Sequence, residues 1–102
     1  MIPTFPTVSI DKNTVEVVLF RNGKERHFVY PEHVIHVLRS KHTTILQDYP
    51  PYGSLDSEGY AHYVQLTPMK AMRMPAWIPI SPEESRTLEV AVLHAKQGLD
   101  SF

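Results

Sequence analysis

The dipeptide Asn22-Gly23, set between two runs of alternating apolar residues, constrains this chain more than any other feature. A two-residue hairpin loop of type I′ needs positive φ at both central positions, and Asn followed by Gly accepts that at least cost. The loop fixes the register: Arg21 faces Lys24, Leu19 faces Arg26, Val17 faces Phe28 and Val15 faces Tyr30. A second two-residue loop at Lys12-Asn13 sets Ile10 against Val15 and Val8 against Val17. Residues 7–30 then form a three-stranded antiparallel meander. Because side chains alternate, Val8, Ile10, Val15, Val17, Leu19, Phe28 and Tyr30 share the core face, and Glu16, Val18, Phe20, Glu25, His27 and Val29 share the other.

The whole chain has 102 residues, 42% of them apolar, and a formal net charge of -1. That fits a single domain spanning 1–102, long enough to bury about 65% of its unfolded surface without covalent help. The absence of Cys excludes a disulfide framework, a thiol nucleophile and any cysteine-based zinc site, and it suits the cytoplasm. Met1 to Pro6 offers neither a basic nor an apolar signal region, and no apolar run approaches membrane-spanning length.

Beyond the meander, Pro31 suits the first turn of a helix, and Val34, Val37 and Leu38 recur at helical spacing, so Glu32 to Lys41 is expected as a short amphipathic helix. Thr43 to Gln47 and Tyr60 to Leu66 are expected as strands, separated by a loop of turn residues from Tyr49 to Gly59. Trp77-Ile78-Pro79-Ile80 is a short strand confined by its proline to an edge or a bulge. Ser81-Pro82-Glu83-Glu84 is a capping box that opens a helix running to about Gln97, with Gly98 as its stop. Leu88, Ala91, Val92 and Ala95 make its core stripe, and Val90 and Leu93 point away. The expected fold is α+β: an antiparallel sheet, the meander plus one to three later strands, with two helices packed on one face.

Chemistry is sparse. Six His include the pair His33 and His36, but no carboxylate stands at ligand spacing and there is no His-Glu-x-x-His, so no metal site and no cofactor are expected. Four scattered glycines form no phosphate cradle. No nucleophile, base and orienting group converge at motif spacing, and no catalytic residues are assigned. His62 with Asp56 or Glu58 is the nearest approach, on a loop beside a strand.

Two surfaces remain. Residues 21–42 carry five Lys and Arg against two Glu. With its histidines, this region offers Arg21, Lys24, Arg26, His33, His36, Arg39 and Lys41 to phosphate or nucleic acid. The segment 67–77 gathers Met69, Met72 and Met74 around Lys70 and Arg73 and ends on Trp77, the only tryptophan. Methionine adapts to irregular partners, and Trp and Arg are enriched among binding hot spots. Tyr49 and Tyr52 extend this set.

The preferred expectation is a small non-enzymatic binding protein, an inhibitor or adaptor of the kind found among phage and mobile-element accessory proteins. It engages a macromolecular partner, a protein in the first instance, through Met69, Lys70, Met72, Arg73, Met74, Trp77, Tyr49 and Tyr52. One alternative is a nucleic-acid or nucleotide binder using the basic 21–42 region. Another is a His-based or metal-dependent hydrolase. Val90 and Leu93 suggest a homodimer.

Overall fold

A computed structural model describes residues 5–41, 49–70 and 73–100, with the side chains of the last two left out. Within these, six strands precede one helix: β1 (Thr7–Asp11), β2 (Thr14–Arg21), β3 (Lys24–Tyr30), β4 (His33–Lys41), β5 (Tyr60–Pro68), β6 (Ala76–Ile80) and α1 (Pro82–Asp100).

The meander has the expected register throughout, including Val15 opposite Tyr30, Val17 opposite Phe28 and Val8 opposite Val17. Asn22 and Gly23 both have positive φ, at 54° and 76°, as a type I′ turn demands. At the other loop only Lys12 is positive, at 56°. Val15, Val17 and Leu19 are buried, whereas His27 on the opposite face is exposed.

The expected helix over 32–41 is instead strand β4. Pro31 serves as the first central residue of a tight turn, and Glu32 follows at φ 56°, the sign sequence of a type II turn. The chain therefore leaves the first sheet and starts a second. Ile35 and Val37 then face inward, and Val34, His36 and Leu38 face outward. Apolar residues on both faces of a strand imitate helical spacing, and β-branched Val34, Ile35 and Val37 prefer the strand.

The single expected sheet is accordingly two antiparallel sheets, ordered β1-β2-β3 and β4-β5-β6. One helix, rather than two, packs against them. The core lies between the sheets: Val15, Val17 and Leu19 from β2 meet Ile35, Val64, Leu66, Ile78 and Ile80, with Leu88 and Val92 of α1 completing it. The capping box forms as expected: the Ser81 amide donates to Glu84 Oε1 at 2.9 Å, and the Glu84 amide donates to Ser81 Oγ at 3.1 Å. Gly98 does not stop α1, which runs on to Asp100. The expected strand at Thr43–Gln47 lies outside the described residues.

The helix packs along β1, β4 and β5, closing one flank of the two-sheet core. On the other flank β3 and β6 are both sheet edges. That asymmetry positions the site.

Candidate functional site

A cleft of about 390 Å³ opens between β3 and β6, lined by Arg26, Phe28 and Tyr30 on one wall, Ala76, Trp77, Ile78 and Pro79 on the other, and Arg21 and Tyr52 at one end. Phe28 and Tyr30 share the inner face with Val15 and Val17, yet remain only partly buried. The cleft is the reason: the second sheet does not close over them.

Both walls carry unused backbone. A two-residue loop makes the flanking residues Arg21 and Lys24 a hydrogen-bonded pair, and hydrogen-bonded pairs alternate along an antiparallel ladder. Lys24, Arg26, Phe28 and Tyr30 therefore spend their peptide groups on β2, leaving those of Glu25, His27 and Val29 directed at the free edge. On β6, Pro79 opposite Tyr63 has no N–H to give, so the peptide groups of Trp77 and the Pro79 carbonyl point outward. Arg21 Nη2 donates to that carbonyl at 3.0 Å. No other backbone bond among the described residues uses Glu25, His27, Val29 or Trp77.

Arg21 is a fixture of the cleft rather than a free cation. Its Nη1 lies 2.7 Å from Glu84 Oε2, and its guanidinium sits 3.7 Å from the centre of the Tyr52 ring. The other basic residues disperse. Arg39 lies within 3.7 Å of Asp56 and 3.6 Å of Glu58, and it stacks on Tyr60 at 4.7 Å. Lys41 approaches the same ring at 5.9 Å. His33 Nδ1 donates to the Pro31 carbonyl at 2.7 Å, and its ring tilts on Tyr30. His36 is exposed on the opposite face of β4, so the strand separates the two members of the His33–His36 pair. Lys24, Arg26 and His36 are the three of the seven that are exposed and make no ion pair or ring contact among the described residues.

The methionine segment is also divided. Met74 stands 87% exposed two residues before β6, with Arg73 exposed beside it. Met69 is half exposed but lies elsewhere, in a groove with Ile10, His33 and Ile35, where its amide donates to the Glu32 carbonyl at 2.9 Å. Lys70 pairs with Glu32 at 3.2 Å on the surface. Met72 lies outside the described residues. Trp77 does double duty: its ring meets Tyr63 edge-on at 5.6 Å and Tyr49 at 6.3 Å on the outer face of the second sheet. There Tyr63, fully buried, donates its hydroxyl to the Tyr49 carbonyl at 2.7 Å, and burial pushes its phenol pKa up. Tyr49 and one side of Trp77 thus belong to a small second core.

The fold also builds a relay that joins His62 and Asp56, the nearest approach to catalytic chemistry in the sequence, to Ser85, which sequence spacing does not reveal. His62 Nε2 lies 2.8 Å from Asp56 Oδ2, and its Nδ1 lies 2.9 Å from Ser85 Oγ. A carboxylate only accepts, so in the neutral ring Nε2–H donates to Asp56 and Nδ1 accepts the Ser85 hydroxyl. Asp56 Oδ1 accepts the Tyr60 and Glu58 amides, both at 2.9 Å. The Tyr60 amide first, then His62, hold the Asp56 carboxyl down at about 2. Ser85 is 2% exposed and lines none of the clefts described here. A nucleophile must reach its substrate, and this hydroxyl does not. The relay clamps the 56–60 turn to the first turns of α1.

Among the described residues no cluster of His, Asp and Glu has the geometry to hold a metal ion, and no helix is long and apolar enough to cross a membrane. Compared with protein-family models, with curated proteins and with solved structures, the chain matches none.

Proposed function

We propose that this is a small non-enzymatic binding protein that takes an extended segment of a partner protein into the β3–β6 cleft. The observation that carries the reading is the coincidence of two unpaired strand edges with half-buried Phe28 and Tyr30 on one flank. Exposed edges offer a template for strand addition, in which main-chain bonds supply affinity and alternate side-chain pockets supply selectivity. Arg26 is the uncommitted charge of the cleft, Arg21 being paired with Glu84, so the segment that fits carries an acidic side chain flanked by apolar ones. Met74 and Arg73, exposed at the mouth of β6, extend the contact as an adaptable rim. An inhibitor or adaptor works in this way.

The test is selection from a displayed library of linear peptides, with single-stranded oligonucleotides assayed in parallel. Acidic-apolar peptides should be enriched, and Val29→Pro, which removes an outward N–H while sparing the ladder to β2, should weaken them at least tenfold. Preferential oligonucleotide binding that falls steeply with salt overturns the reading in favour of a nucleic-acid binder. That alternative has only Lys24 and Arg26 as uncommitted cations of its expected set.

A second reading, a hydrolase, has the Asp56–His62–Ser85 relay in its favour and the burial of Ser85 against it. A fluorophosphonate probe is expected to leave Ser85 unlabelled; labelling that His62→Ala abolishes would establish the hydrolase instead.

A further inference from the structure

The outward face of α1 carries a ridge. Glu83, Arg86, Val90 and Leu93 follow one another at intervals of three, four and three residues, the spacing of a coiled-coil seam. Val90 and Leu93 are 53% and 55% exposed. The ridge stands between two grooves: one of about 230 Å³, lined by Ile35, Val37, Glu89 and Leu93, and one of about 500 Å³, lined by Phe5, Val8, Val90 and His94. A ridge flanked by grooves is a surface that its own copy can fill.

We propose that α1 pairs antiparallel with α1 of a second copy, about a two-fold axis passing between Val90 and Leu93. Val90 of each copy then meets Leu93 of the other. Charge selects the second copy as occupant. Glu89 and Lys96 are exposed and seven residues apart on one flank of the ridge. Antiparallel pairing sets Glu89 opposite Lys96 of the second copy, and the symmetry repeats the pair, so the surface is complementary to itself. Two apolar side chains per copy make a weak dimer, with Kd roughly in the 10–100 μM range. The β3–β6 cleft lies on the other flank, so the dimer presents two clefts and binds tandem segments with avidity.

Sedimentation equilibrium of the full chain over about 5–500 μM tests this. The expected result is a monomer–dimer equilibrium weakened at least tenfold by Leu93→Asp. Glu89→Lys and Lys96→Glu alone should each weaken it roughly three- to tenfold, and the two together should restore it, because the exchanged charges pair again. Circular dichroism checks folding; should Leu93→Asp lose structure, the charge-swap series on exposed positions decides alone. A monomer throughout the range overturns the proposal, leaving the ridge to a different partner. Dimerisation indifferent to Leu93→Asp, or a double charge swap as weak as either single one, also overturns it.

Discussion

The two flanks of the β-sheet core end differently. Along β1 and β4 the gap is closed by α1, whose Leu88 and Val92 descend into the core beside Ile35 and Val15. Along β3 and β6 nothing among the described residues closes it, and Phe28 and Tyr30 are left partly exposed beside unspent peptide groups. Closure on one side supplies the stability that openness on the other forgoes. Among the described residues the one helix lies on one flank, and the other is the flank to which the proposed function assigns recognition.

This contrast fails first if stability is not concentrated on the closed flank. Leu88→Ala, at a position with no exposure, should cost about 2–5 kcal/mol in urea unfolding, and Phe28→Ala less than that, because part of its surface already meets water. Equal costs would mean that Phe28 is core and the cleft is not open. Next in size is the cap that starts the closing helix: Ser81→Ala should cost about 1 kcal/mol, since it strips the Glu84 amide of its acceptor.

Acid should act on the clamp between the 56–60 turn and α1. The Asp56 pKa is lowered from 3.8 to about 2, so its contribution is complete above 3.8 and is lost as pH falls toward 2. Stability measured across that window should decline less steeply in Asp56→Asn. His27 on β3 behaves oppositely. Hydrogen bonds that its ring donates to Glu16 first and Glu25 second raise its pKa above 6.5, so its contribution is full below that value and is lost as pH rises through the folded-state pKa. His27→Gln should flatten that decline near neutrality. The smallest effect is expected at Met74, 87% exposed: Met74→Ala should change stability by less than about 0.5 kcal/mol while weakening peptide binding.

The legibility of the sequence follows the same physics. The meander was readable because two short loops fix register and the inner face of β2 is buried, so a single slip would expose Val15, Val17 and Leu19 together. The start of α1 was readable because Ser81 and Glu84 satisfy each other's amides locally. Strand β4 was not, since Val34 and Leu38 are apolar on its outer face and Pro31 serves a helix start and a tight turn equally well. The site was readable only in composition. Arg21, Arg26, Tyr52 and Trp77 were singled out, but for two different surfaces, and the cleft that unites them is made by strands 46 or more residues apart. Their meeting depends on how the second sheet docks on the first, which no local spacing encodes. The Ser85–His62 contact, 23 residues apart and on different elements, escaped for the same reason.

Amide chemical-shift mapping of the full chain with a selected acidic-apolar peptide tests the central claim most directly. The account predicts the largest changes at Glu25, His27, Val29 and Trp77, with slowed hydrogen exchange at those same amides as the added strand pairs with an edge. Changes confined to Val90, Leu93 and the rest of the outward face of α1, with those four amides unmoved, would contradict it.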